Sequence, residues 1–277
     1  MADPLAGRSA VVTGGGRGIG AATAAALVRA GWRVLIGDVD VAIAERTARE
    51  VGAEARRLDV TDRAGFSAFL DEAESRLGPL DLLVNNAGIM PLSRIEDEPD
   101  EATARILAVN LHGAIHGTRE AVNRMRPRGH GHIVNVASVV ARAPGAGAAT
   151  YAATKAGVLA FSEAVRAELR GSGVEVSCVL PGLVATELAA GIEVRGYRPI
   201  TPGTVAEAIV RVAHRPRFET YVPAQVGLML KVGSLGGRRF GEWLQRMSGA
   251  DAAVLAAIGS VERAGYERRA SGAGRGR

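Results

Sequence analysis

The sequence predicts an α/β fold, a doubly wound and mainly parallel seven-stranded sheet with helices on both faces. Three observations carry this expectation. Apolar runs of strand length alternate with helix-period segments from the N-terminus onward. The strand runs are apolar throughout instead of alternating, as parallel strands covered on both faces require. A glycine-rich turn joins the first run to the first helical segment. At 277 residues, one such domain buries an ample core without disulfides or metal.

The elements follow in order. Ser9–Thr13 (SAVVT) is the first strand, and Gly18–Ala30 the first helix, stopped by Gly31. Trp32–Ile36 is the second strand, followed by a helix over Val41–Val51 that ends at Gly52. Ala55–Leu58 is a short third strand. Over Asp62–Leu77, Phe66, Phe69, Leu70, Ala73 and Leu77 share one helix face, with Gly78-Pro79 as the stop. Leu80–Val84 is the fourth strand, and two helices follow, roughly Glu101–Val109 and on to about Met125. His132–Ala137 is the fifth strand, Tyr151–Arg170 a long helix, and Val174–Leu180 the sixth strand. Thr204–Ala213 reads as a helix and Glu219–Val222 as the seventh strand. Ligands of such sheets bind beyond the C-terminal strand ends, at the switch point of the strand order.

Composition narrows the function classes. Hydrophobic residues are 47% and charged residues 23%, so the chain is not disordered. The single cysteine, Cys178, excludes a disulfide framework and any multi-cysteine metal site; in its apolar strand it reads as a small buried hydrophobe. His112 and His116 stand at i and i+4 on a helix, but no third ligand is suggested, so no metal is expected. The apolar run Ile19–Val28 is half the length of a membrane span. The start, with Asp3 and Pro4, lacks a basic-then-apolar signal pattern, so the expected location is cytoplasmic. Net charge is +5, and residues 201–277 hold twelve Lys and Arg against six Asp and Glu. With only 4% aromatic residues, nucleic acid is not an expected partner. His130 and His132 are expected to face solvent, and Arg126, Arg128 and Arg142 to be surface charges.

The chemistry concentrates in a few motifs. Thr13-Gly14-Gly15-Gly16-Arg17-Gly18-Ile19-Gly20 sits where a strand ends and a helix opens, the context of a dinucleotide fingerprint. Gly14 allows the tight turn, Gly18 the approach of a pyrophosphate, and Gly20 the packing of helix on strand. The helix N-terminus offers N–H groups and partial positive charge to phosphates. Asp38 follows Gly20 by 18 residues, at the end of the second strand. A carboxylate there accepts from both ribose hydroxyls of NAD and repels the 2′-phosphate of NADP. Arg17 argues for NADP, since a guanidinium can pair with that phosphate. The acid in direct contact with the ribose is expected to prevail, giving NAD. Tyr151 and Lys155 stand at i and i+4, on one helix face. An ammonium within about 4–6 Å of a phenol lowers its pKa from near 10 by one to three units, toward the range useful for proton transfer.

The glycine spacing and the motifs after it, in this order, resemble the short-chain dehydrogenase/reductase family over roughly residues 5–224. Leu58-Asp59-Val60 follows the third strand, and Asn85-Asn86-Ala87-Gly88 ends the fourth. Asn110 lies in the next helix; Ser138 follows the fifth strand, and Tyr151-Ala-Ala-Thr-Lys155 begins 13 residues later. Pro181-Gly182 ends the sixth strand, with Val184 and Thr186 beyond it. The resemblance implies a Rossmann-type fold in which Asp59 and Val60 meet the adenine and Asn86, Ala87 and Gly88 support sheet and ribose. It implies that Val184 and Thr186 hold the nicotinamide carboxamide. Ser138 holds the substrate oxygen, Tyr151 exchanges its proton, and Asn110 helps hold a water linking Lys155 to solvent. A homodimer or homotetramer is the implied assembly. The expected function is NAD-dependent interconversion of an apolar secondary alcohol and its ketone. The rivals are an NADP-dependent carbonyl reductase using the same residues and a non-catalytic nucleotide sensor or scaffold.

The substrate wall is expected from Leu188, Ile192, Val194, Tyr197 and Ile200, with Met90, Leu92, Val139, Val140 and Pro144. The division of the chain is expected at 224, with residues 225–277 a helical extension ending in a basic tail, Ser271–Arg277. Phe240, Trp243, Leu244 and Met247 form one helical stripe there, and Val254, Ile258 and Val261 another. Val226, Leu228, Met229, Leu230 and Val232 precede them. Packing on the core or a sister subunit, a lid over the substrate, and docking on an anionic membrane surface are all open to this region.

Overall fold

The computed structural model describes residues 7–235 and 249–271. Seven strands form one sheet: β1 Ser9–Thr13, β2 Arg33–Asp38, β3 Glu54–Arg57, β4 Leu80–Asn85, β5 Gly131–Val136, β6 Val174–Pro181 and β7 Glu219–Val222. Their order is β3-β2-β1-β4-β5-β6-β7, and every neighbouring pair is parallel. The fold is therefore the doubly wound Rossmann-type sheet the alternation predicts. The winding reverses between β1 and β4, and the main cleft opens there.

The two faces divide the apolar residues by strand parity. Ala10, Val12, Val34, Ile36, Leu82 and Val84 turn toward α1 (Gly18–Arg29), α2 (Val41–Val51) and α7 (Pro202–His214). Val11, Leu35, Leu83, Ile133 and Val176 turn toward α3 (Arg63–Leu77) and α5 (Gly113–Met125), meeting Phe66, Phe69 and Met125. Asp40 and Asp62 cap α2 and α3 by accepting from Ile43 N–H and Gly65 N–H.

Differences from the sequence reading have local causes. Strand β2 runs on to Asp38 because Gly37 pairs with Thr13 on one side and Asp38 with Arg57 on the other. Backbone pairing continues there although the side chains cease to be apolar. The two helices expected after β4 are α4 (Asp100–Leu107) and α5, joined by a π-helical turn over Ala108–His112. Such turns recur at functional sites, and this one contains Asn110.

His132 is not solvent-facing. It is buried between β4 and β6, its Nε2 is 2.9 Å from Ser177 Oγ, and burial pushes its pKa down to about 4. The unfolded chain binds a proton on this residue near pH 6.5 and the folded one only near 4. Stability therefore falls as pH drops through that window, by about 3 kcal/mol at ~1.4 kcal/mol per unit. His132→Gln is expected to flatten the urea-denaturation midpoint between pH 6.5 and 4; an unchanged slope would assign the acid sensitivity to other groups.

Beyond β7 come α8 (Ala224–Leu235), α9 (Ala250–Ala257) and α10 (Val261–Ala270). The stripe Phe240, Trp243, Leu244 and Met247 lies outside the described residues, as do positions 272–277. Val254 and Ile258 pack with Leu92, Ile192 and Ala257, but Val261 is 87% exposed and leaves its expected stripe. No helix of the described residues is long and apolar enough to cross a membrane.

Candidate active site

One cleft of about 2310 Å³ runs across the C-terminal ends of the strands. Its first wall is the turn between β1 and α1. Gly14 and Gly18 take positive φ, +62° and +54°, which glycine adopts without strain. Gly14, Arg17, Gly18 and Ile19 line the cleft. Gly20 does not; it lies beneath the loop, where a Cβ would come within 2.2 Å of Gly14 O. The start of α1 has no side-chain cap and no carboxylate in its first turn. Its N–H groups and positive end suit the pyrophosphate of a dinucleotide.

Asp38 ends β2 at the cleft. One carboxylate oxygen accepts from Gly16 N–H and the other from Asp40 N–H, both at 3.0 Å. The side chain is thereby fixed, with lone pairs left for ribose hydroxyls. Arg17 is drawn the other way. Its guanidinium pairs with Asp40 at 2.8 Å and stands 3.8 Å from Glu187, which Arg269 also holds at 2.7 Å. Asp40 and Glu187 escaped the sequence reading; the N-cap position before Val41 was the available signal for Asp40.

Asp59 and Val60 line the same end. Asp59 accepts from Thr61 N–H and Oγ at 3.0 and 2.7 Å, and Val60 is buried against Gly113. After β4, the Asn86 side chain donates to the Thr13 and Gly14 carbonyls at 3.0 and 3.1 Å. Thr13 Oγ1 receives the N–H groups of Asn86 and Ala87. Thr13 thus ties the first turn to Asn86, Ala87 and Gly88, a role its place at the strand end did not announce. Asn85 lies below, donating to Asn135 at 2.8 Å, which donates to Ser162 at 2.8 Å.

The centre of the cleft holds Ser138, Tyr151 and Lys155, all under 9% exposed. Tyr151 and Lys155 come from α6 (Ala149–Glu168), Ser138 from the end of β5. Ser138 hydrogen-bonds the Tyr151 phenol. Lys155 Nζ lies 5.7 Å from the Tyr151 ring centroid and donates to Val136 O at 2.9 Å. The electrostatics differ from expectation. Burial pushes the Tyr151 phenol up to about 12, opposed by the Ser138 hydrogen bond, and pushes Lys155 down to about 8. The Lys155 ammonium is directed at the Val136 carbonyl instead of at the phenol, and burial governs the phenol.

Asn110 stands behind this group and does not line the cleft. Its side chain pairs with both polar groups of the Ile89 backbone at 2.8 Å and donates to Thr154 at 3.3 Å. A Cβ on Gly88 would lie 3.4 Å from Asn110 Oδ1 and 3.5 Å from Lys155 Nζ, so Gly88 separates the two.

Pro181, Gly182, Val184 and Thr186 close the far side. Thr186 N–H donates to Val184 O at 2.8 Å, and a Cβ on Gly18 would meet the Thr186 methyl at 3.3 Å. Met90, Leu92, Val139, Val140, Pro144, Leu188, Ile192, Val194 and Tyr197 line the other end of the cleft. Ile200 does not; it packs with the α1–α7 face of the core. Val226, Met229, Leu230, Val254 and Tyr266 add to the wall from α8, α9 and α10. Arg142 also reaches the cleft, paired with Glu219 at 2.5 Å. His116 is held to Val60 O at 3.1 Å, and among the described residues no cluster of His, Cys, Asp or Glu could hold a metal. Cys178 is buried, with its thiol pushed up to about 11 by burial.

Fold and cleft together define a dinucleotide-binding protein of the Rossmann type. The sequence pattern described as short chain dehydrogenase matches residues 8–195, and the chain belongs to that family. It is 40% identical over 204 residues to the probable oxidoreductase EphD of Mycobacterium tuberculosis, covering 72% of this chain and 34% of that protein. The chain thus aligns with about a third of that relative's length. It is 38% identical over 190 residues to the 3-alpha-(or 20-beta)-hydroxysteroid dehydrogenase of the same species, covering 68% and 73%. It is 38% identical over 231 residues to the cis-4-hydroxycyclohexanecarboxylate dehydrogenase of Sinomonas cyclohexanicum, covering 77% and 92%.

Proposed function

We propose that the protein is an NAD-dependent dehydrogenase that interconverts an apolar alicyclic secondary alcohol and its ketone. The observation that carries this is the burial of Ser138, Tyr151 and Lys155 together in the same cleft as the uncapped α1 N-terminus and Asp38. The names of two relatives support the substrate class, since each carries a hydroxyl on a carbocyclic skeleton. The apolar wall from Met90 to Tyr197 suits such a skeleton.

The N–H groups at Gly18 and Ile19 would hold the phosphates, and Asp38 would accept from the ribose hydroxyls. Val184 and Thr186 would hold the carboxamide. The bound dinucleotide supplies the hydride acceptor and, when oxidised, a positive charge. Ser138 orients the substrate hydroxyl, and Tyr151 takes its proton. Lys155, 5.7 Å from the Tyr151 ring centroid and anchored on Val136 O, brings positive charge to the same centre. Asn110 positions the Ile89 loop behind them.

NAD is favoured over NADP because Asp38 is fixed by two backbone donors while Arg17 is already held between two carboxylates. Titration with NADH and NADPH, followed by nicotinamide fluorescence, is expected to show about tenfold tighter NADH binding, ~1.4 kcal/mol. Asp38→Ala should erase that margin. Tighter NADPH binding by the wild-type chain would overturn the cofactor assignment. A panel of cyclohexanols and 3α-hydroxysteroids then tests the activity, and no NADH formation with any member would overturn it.

A further inference from the structure

The last described helix is attached to the cleft by an unusual side chain. Arg263 is the largest fully buried residue of the described chain, 0% exposed, although it carries a full charge. A buried guanidinium is destabilising unless its donors are satisfied. Here Nη1 donates to Leu188 O at 2.6 Å and Ala190 O at 3.1 Å. Nη2 donates to Met90 O at 2.7 Å, and Nε to Glu267 at 2.9 Å. The guanidinium also stacks 5.1 Å from the Tyr266 ring centroid. Tyr266 in turn accepts Met90 N–H at 2.6 Å. Both polar groups of the Met90 backbone are therefore held by α10.

Met90 belongs to the segment after β4, and Leu188 with Ala190 to the segment after the Thr186 loop, two stretches that pack together at the cleft. Met90, Leu188 and Tyr266 all line the cleft. The contact is close: Gly191 has φ +74°, and a Cβ on it would lie 2.6 Å from Ser260 Oγ at the start of α10.

We infer that Arg263 is a positioning residue that clasps the 187–191 segment to the Ile89–Leu92 rim and so sets the shape of the substrate end. That this end receives the alcohol rests on the function proposed above; the clasp itself rests on the contacts. One planar guanidinium serves three carbonyls in different directions, which a lysine ammonium cannot match.

The test combines amide hydrogen exchange without ligand and steady-state kinetics with cyclohexanol as probe. Arg263→Met should speed exchange at residues 89–92 and 183–197 at least tenfold, leaving β1 and β5 unchanged. KM for cyclohexanol should rise about tenfold, with kcat within threefold and NADH affinity within twofold. Arg263→Lys should recover part of both effects. Gly191→Ala keeps the arginine but separates the same surfaces, and should give the same pattern if Arg263→Met fails to fold. Exchange raised uniformly across the sheet, or an unchanged KM despite faster local exchange, would overturn the inference. If the wild-type chain oxidises no probe, the proposed activity falls and the exchange pattern alone decides the clasp.

Discussion

Tyr151→Phe is expected to lower kcat for alcohol oxidation about a thousandfold, while NADH affinity changes less than threefold. Phenylalanine keeps the ring in its buried slot and removes only the hydroxyl that Ser138 engages. A positioned acid–base group contributes roughly 10² to 10⁴ in rate, and a thousandfold loss corresponds to ~4 kcal/mol of barrier. The pKa near 12 adds a second reading. Burial keeps the phenol protonated around neutrality, so proton acceptance should improve as pH rises. The rate of oxidation should climb with pH from neutrality in the wild-type chain and lose that climb in Tyr151→Phe. A pH-independent rate, or turnover retained in the variant, would remove Tyr151 from the mechanism.

Gly20→Ala is expected to be nearly as damaging without touching the reacting groups. The new Cβ would meet Gly14 O at 2.2 Å and Asn86 Nδ2 at 2.6 Å. One obstacle is backbone and the other is a side chain held by two hydrogen bonds, so neither can yield cheaply. Overpacking of this kind costs about 1–3 kcal/mol, and here the upper end applies. For a chain of this size that is a fall in Tm of roughly 6–12 °C. Dinucleotide affinity should fall by at least tenfold, since Gly14 and Asn86 must shift together. Calorimetry and the NADH titration check the two effects separately, and a variant with both unchanged would show that the first turn has slack.

The sheet was readable because both of its faces are covered. Continuous apolar runs such as Val11-Val12 and Leu82-Leu83-Val84 have only one home, the middle of a parallel sheet. The cleft residues were readable where a backbone conformation or a helical spacing restricts the residue type, as at Gly14 and at Tyr151 with Lys155. What escaped was everything decided by distant packing. His132 reads as a polar residue beside a turn, yet Ser177 on β6 provides a partner that allows its burial. The balance between desolvation and charge at Tyr151 depends on where the Lys155 ammonium points, which spacing does not fix. Arg263 lies in a charged stretch, Val-Glu-Arg-Ala-Gly-Tyr-Glu-Arg-Arg, whose pattern suggests a solvated helix. Only contacts from residues more than seventy positions away make it a core residue.

That separation bears on how the molecule is made. Met90 and Arg263 are 173 positions apart in the chain. Synthesis proceeds from the N-terminus, and chains fold as they emerge. The turn after β1, Asp38 and the β4 end are all available once the first half of the sheet has formed. The rim at Met90 acquires its anchor only when α10 leaves the ribosome, after every strand of the sheet has been made.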